Sequence, residues 1–277
     1  MRIGFFDSGI GGLTVLHQAL KLLPQEDYLF YADTDHVPYG EKTKDEVREY
    51  ILQAVDFMAR QPIKALVVAC NTATSIVIEE LRQRYDFPVL GIEPAVKPAV
   101  EQSEGKQKKV LVLATRLTLQ EKKYHDLVHR IGHGEIVDSL PLPGLVQFAE
   151  RFDFDEERII PYLKSELAHL DLERYSTVVL GCTHFPYFEG SLRKIFPDTV
   201  NFISGSLGTA RHLKQILQAG GRINEGTGDI LFYRSNVQVA DSALLSKYKG
   251  LFERLDDMEP SVTEFTESSL SKGSDLT

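Results

Sequence analysis

A chain of 277 residues with 43% hydrophobic and 26% charged side chains has the balance of a globular protein with a sizeable core, which excludes a fibrous or disordered chain. Its formal net charge of −9 argues against a nucleic-acid surface, which needs clustered Lys and Arg, and no apolar run approaches the roughly 18 residues that span a membrane. The opening Met1–Asp7 lacks the apolar core of a signal peptide, so a cytoplasmic protein is expected, and in that reducing setting two cysteines are a poor disulfide pair.

Short apolar runs alternate with helix-period stretches, the pattern of an α/β protein with parallel sheet. The expected strands are Ile3–Phe6, Tyr28–Ala32, Ala65–Ala69, Val89–Ile92, Val110–Ala114, Glu135–Asp138, Thr177–Leu180 and Val200–Ile203. The expected helices are Leu13–Leu23, Lys44–Ala59, Thr74–Tyr85, Leu119–His129, Glu156–Leu170, Phe188–Ile195 and Ala210–Gln218. Pro94 and Pro98 flank a crossing between halves, and the lysines of Lys106–Lys109 read as a solvated lead-in to a strand.

The chain is internally doubled. Arg2–Phe6 followed by Asp7 parallels Lys109–Ala114 followed by Thr115; 63 positions separate Asp7 from Cys70 and 67 separate Thr115 from Cys182. Both cysteines end an apolar run at a polar turn, in Val67-Val68-Ala69-Cys70-Asn71-Thr72 and in Val179-Leu180-Gly181-Cys182-Thr183-His184. Two similar doubly wound parallel-sheet domains follow, with the site in the cleft between them: residues 1–95 plus 207–258, then 96–206. The Ser-, Thr- and Glu-rich stretch 259–277 reads as a flexible polar tail.

In doubly wound sheets, ligands bind at the carboxyl ends of strands. Asp7, Ser8, Asp33, Cys70, Asn71, Thr72, Thr115, Cys182, Thr183 and His184 all fall there. A cysteine just before a helix start has its pKa drawn down toward neutrality by the helix's positive end, and a thiol there can act as acid or base. Two thiols in matching positions suit proton removal from one face of a carbon and delivery to the other. His184 and Asp7 are placed to polarise a thiol. No CxxC or HxxxH spacing supports a metal site at Cys70, Cys182, His184 and Asp7, so no metal is expected. The loop Asp7–Gly12 resembles a dinucleotide loop, with Asp33 near the position of a ribose-binding acid, but Thr14 stands where the third glycine belongs. A non-catalytic nucleotide-binding module is therefore an alternative, as is an interaction protein on a former enzyme fold. Tyr39-Gly40 forms a turn that caps one end of a ligand, while Glu150, after the loop Pro141–Gly144, reads alone as a solvated helix charge.

These segments together resemble glutamate racemase, of the cofactor-independent amino-acid racemases. The carrying residues are Phe6–Gly12, Tyr31-Ala32-Asp33, Val37–Gly40, Ala69–Thr74, Gly91–Pro94 and Leu180–Pro186. Leu140-Pro141 stands where the family often has Cys-Pro, and Ser204-Gly205-Ser206 where it often carries an Asp. The resemblance implies interconversion of L- and D-glutamate for peptidoglycan, with no cofactor, no nucleic-acid or membrane partner, and a homodimer. Racemases acting on aspartate or a hydantoin are the nearest alternative. In the family, the residue matching Cys70 takes the proton from D-glutamate and the one matching Cys182 from L-glutamate. By the same resemblance Asp7 and His184 assist the thiols, and Ser8, Asn71, Thr72, Thr183 and the Tyr39–Gly40 turn hold the substrate together with them. Asp33, Thr115, Thr118 and Glu150 are auxiliary candidates.

Overall fold

In the computed structural model of the protein, which describes residues 1–103, 108–132 and 134–258, the chain runs β1 (Arg2–Asp7), α1 (Leu13–Leu22), β2 (Tyr28–Ala32), α2 (Lys44–Ala59), β3 (Ile63–Val68), α3 (Asn71–Arg84), β4 (Val89–Gly91), α4 (Val96–Ser103), β5 (Lys109–Ala114), α5 (Arg116–Gln120), α6 (Lys122–Ile131), β6 (Val137–Pro141), α7 (Pro143–Glu150), α8 (Glu156–Leu167), β7 (Tyr175–Leu180), α9 (Glu189–Arg193), β8 (Asn201–Ser204), α10 (Ser206–Ala219), β9 (Ile230–Arg234), β10 (Val237–Gln238) and α11 (Ser242–Met258). One sheet has the order β10-β9-β2-β1-β3-β4 and the other β6-β5-β7-β8. All pairings are parallel except that of β10 with β9. Among the described residues no helix is long and apolar enough to cross a membrane.

The strands are continuous apolar runs because each sheet is covered on both faces. In β1, Ile3 and Phe5 face a cluster with Leu13 and Leu16 of α1, while Phe6 faces the other side with Val55 of α2 and Val77 of α3. In β5, Leu111 and Leu113 turn toward Leu163 of α8, while Val110 and Val112 turn toward Val96 and Val100 of α4. The cluster holding Ile3 and Phe5 also holds Leu111 and Leu113, so one apolar core is continuous across both sheets.

The doubling is visible in the strand register. β1 lies between β2 and β3 as β5 lies between β6 and β7. Each pairing with the third strand slips by one residue at its start, between Arg2 and Ile3 and between Lys109 and Val110. Phe6 then faces Val68 and Leu113 faces Leu180, and a cysteine follows two residues later in each half. By this register the counterpart of Thr115 is Ser8, not Asp7; Asp7 corresponds to Ala114. The carboxylate is therefore peculiar to the first half.

Several expected elements shift. Pro98 lies in the first turn of α4, where no intrahelical N–H is lost, so the crossing is helical. Pro143 opens α7, so Gly144 belongs to a helix rather than a loop. Glu121 takes an extended backbone (φ −71°, ψ 138°) and splits the expected helix 119–129 into α5 and α6. A 3-10 turn, Gly134–Ile136, delays β6. β9, β10 and α11 lie in a region where no element is expected; α10 packs on α1, and β9 extends the first sheet beside β2. Residues 259–277 and part of the 106–109 lysine cluster lie outside the described residues.

Candidate active site

The first sheet's strand order reverses between β1 and β3, and the second's between β5 and β7. Crevices form at the carboxyl ends of strands at such a switch point. Between the two crevices lies a small cavity lined by Ser8, Tyr39, Gly40, Cys70, Asn71, Thr72, Thr115, Cys182, Thr183 and His184. Pro38, Glu41, Pro143 and Val146 complete its wall.

Cys70 is the N-cap of α3, and its Sγ accepts the Ala73 N–H at 3.5 Å. It also donates to Ser8 Oγ at 3.8 Å. The helix-end contact expected to acidify this thiol is present, yet burial, followed by the neighbouring Asp7, pushes the thiol well above its ordinary range. Removal from water outweighs one weak N–H contact. Cys182 does not cap an α-helix. Its carbonyl accepts Phe185 N–H at the start of a 3-10 turn, Phe185–Phe188, with α9 behind. Its thiol lies 3.6 Å from His184 Nδ1 instead.

His184 is fully enclosed, with Nε2 2.6 Å from Glu150 Oε1. Burial opposes a charge on this ring, but the hydrogen bonds to Cys182 and Glu150 prevail and hold its pKa well above the ordinary value. These contacts favour the charged ring, which when protonated donates Nδ1–H toward Cys182 and Nε2–H to Glu150. Glu150 is no solvated helix charge. Its side chain is 16% exposed, and the same oxygen accepts the Ile10 N–H at 2.8 Å.

Asp7 is completely buried and does not line the cavity wall. Its Oδ2 accepts the Gly12 N–H at 2.7 Å and the Thr183 hydroxyl at 3.5 Å. Burial raises its pKa against the lowering pull of His184. Asp33 stands behind the cavity, accepting the Tyr39 hydroxyl at 2.5 Å. Thr118 also stands behind the wall, closing a ring of three hydroxyls: Thr72–Thr115 at 2.9 Å, Thr72–Thr118 at 3.0 Å and Thr115–Thr118 at 2.9 Å.

The glycine loop packs directly against the residues of this site. A Cβ on Gly9 would stand 1.9 Å from Glu150 Oε1, and one on Gly11 would stand 2.4 Å from His184 Nδ1. The Gly12 N–H that a phosphate would take is held by Asp7. The first turn of α7, which brings Pro143 and Val146 to the wall, is the part of the site least foreshadowed. Its signal is a proline placed to start a helix, followed by Glu150 at the helix end.

Fold and site together define a two-domain α/β protein with one thiol from each half on a shared small-ligand cavity. The profile of the Asp/Glu/hydantoin racemases matches residues 14–211, and the chain belongs to that family. It is 58% identical over 261 residues to glutamate racemase 2 of Bacillus subtilis, covering 94% of this chain and 98% of the relative. The crystal structure of glutamate racemase isoform RacE1 from Bacillus anthracis superposes with a TM-score of 0.76 at 30% identity, covering 92% of this chain and 94% of that one. The glutamate racemase of Francisella tularensis, crystallised in complex with D-glutamate, superposes with a TM-score of 0.74 at 26% identity, covering 94% and 95%.

Proposed function

We propose that the protein is a glutamate racemase interconverting L- and D-glutamate with two thiols and no cofactor. The observation that carries this reading is the pair of thiols on one cavity, one from each half: Cys70 at the N-terminus of α3 beside Ser8, and Cys182 3.6 Å from His184 Nδ1. From L-glutamate, Cys182 acting as the thiolate takes the α-proton, forming S–H, while the C–H electron pair passes into the α-carboxylate. Cys70 then gives its proton to the opposite face, so the carbon inverts and the roles of the thiols exchange; D-glutamate restores them. A protonated His184 stabilises the Cys182 thiolate, and the Asp7 carboxylate beside Cys70 favours its thiol form. The hydroxyls of Ser8, Thr72 and Thr183, the Tyr39–Gly40 turn and the N-terminus of α3 hold the carboxylates without a basic surface. Asn71 Oδ1, buried without a hydrogen-bond partner among the described residues, suits the substrate ammonium.

Glutamate, rather than aspartate or a hydantoin, is supported by the names of the relatives and by the D-glutamate complex of the Francisella enzyme. The same reading carries a cytoplasmic homodimer that supplies D-glutamate to peptidoglycan, and a division into domains 1–95 plus 207–258 and 96–206. The test is circular dichroism of L-glutamate with chelator-treated, reduced protein in D2O. Loss of optical activity with deuterium at the product α-carbon is expected; racemisation of aspartate but not glutamate would refute the substrate.

A further inference from the structure

The geometry points to Ser235, in the turn between β9 and β10 and absent from the cavity wall, as a positioning residue for the substrate site, acting through Asp33 on the Tyr39–Gly40 turn. The inference rests on the proposed reading of the cavity as the substrate site.

The chain of contacts is short. Ser235 Oγ donates to Asp33 Oδ1 at 3.2 Å and accepts the Asp35 N–H at 3.0 Å. Ser235 N–H donates to the Ala32 carbonyl at 3.0 Å. The buried Asp33 carboxylate accepts the Tyr39 hydroxyl on its other oxygen. Tyr39 and Gly40 line the cavity. The Asp33 N–H donates to the Asp7 carbonyl at 3.0 Å, which ties the same segment to the end of β1.

Neighbouring contacts secure the turn against residues 31–35. Tyr31 OH donates to Asn236 Oδ1 at 3.1 Å, and Arg234 Nε donates to Thr34 Oγ1 at 3.2 Å. Ser235 and Asn236 both have positive φ, 39° and 71°, the geometry of a tight two-residue hairpin turn. Glycine takes such angles without cost, and asparagine tolerates them. A serine at the first position supplies what glycine cannot, a hydroxyl that donates to one carboxylate and accepts one N–H at once. His36 Nδ1, its ring stacked on Tyr50, lies within 2.9 Å of both Asp33 oxygens and is a second anchor for the carboxylate, from within the 33–36 turn itself.

The test compares Ser235→Gly with Ser235→Asn in the full-length protein. Glycine keeps the turn angles and removes the hydroxyl; asparagine keeps a donor and an acceptor. A hydrogen bond to a charged group corresponds to roughly a tenfold change in an equilibrium constant. Ser235→Gly is expected to melt within a few degrees of wild type, to speed amide hydrogen exchange over residues 39–42, and to raise KM for glutamate about tenfold with kcat within about twofold. Ser235→Asn is expected to restore both readouts. Wild-type exchange over 39–42 and wild-type KM in Ser235→Gly would overturn the inference. A wild-type protein that fails to racemise glutamate would overturn the proposed function alone, and the exchange comparison would still decide the role of Ser235.

Discussion

Replacing Gly11 with alanine puts one methyl group where the site has no space for it. The added Cβ would lie 2.4 Å from His184 Nδ1, 2.5 Å from Thr183 Oγ1 and 2.6 Å from His184 Cε1, against an ordinary contact of 3.4–4 Å. The imidazole must retreat by about 1 Å, which breaks its 3.6 Å contact with Cys182 and strains the 2.6 Å bond to Glu150. Overpacking of this kind costs about 1–3 kcal/mol of stability. A misplacement of about 1 Å in catalytic machinery costs on the order of 10²-fold in rate, or about 2.7 kcal/mol in the barrier. Gly11→Ala is therefore expected to fold with a modestly lowered melting temperature and to lose about 100-fold in kcat/KM in both directions. Circular dichroism of each glutamate enantiomer measures the rates, and a thermal melt confirms folding. A folded Gly11→Ala protein with kcat/KM within about twofold of wild type would refute the placement of His184 at the reacting thiol.

Two further outcomes follow from buried charge. Asp7 has a raised pKa in the folded state, so folding favours its protonated form. Its ionisation penalty is absent below the unfolded carboxylate's pKa and grows as pH rises toward the folded pKa. Asp7→Asn should therefore melt higher than wild type at pH 7, with the gap closing as pH falls toward 4, while racemisation drops; a lower melting temperature at pH 7 would contradict this. Lys64 and Glu26 form a buried pair at 2.6 Å with side chains 6% and 2% exposed, and they tie residues 222 and 224 to the base of β3. Lys64→Met leaves the Glu26 charge unpaired and should cost about 3–5 kcal/mol in urea denaturation, whereas Glu26→Gln with Lys64→Met should cost less.

The residues legible in the sequence are those whose signal is local. Each strand ends in a polar residue after an apolar run, so the placement of Cys70, Cys182, Ser8 and Thr115 at one edge follows from period and punctuation alone. The α/β class was legible for the same reason. Prolines misled where they start helices, at Pro98 and Pro143, because a first-turn proline loses no hydrogen bond. Contacts across long separations were not legible. Nothing near Glu150 says that it meets Ile10 and His184, and nothing near Ser235 says that it meets Asp33. The thiol environment also needed the fold. A helix N-terminus predicts an acidified Cys70, but only the packed structure reveals how completely burial and Asp7 reverse that pull.

The central claim is that one thiol works each face of the substrate, and the most direct measurement separates the faces. Cys70→Ala and Cys182→Ala are each offered both enantiomers of a β-chloro-substituted glutamate, from which one base alone can eliminate HCl. Racemisation of glutamate should fall by roughly 10²–10⁴-fold or more in both variants, because each lacks one proton carrier. Cys70→Ala, retaining Cys182, should eliminate HCl only from the L-configured compound, and Cys182→Ala only from the D-configured one. Near-normal racemisation in either variant, or elimination from both enantiomers by one of them, would contradict the account.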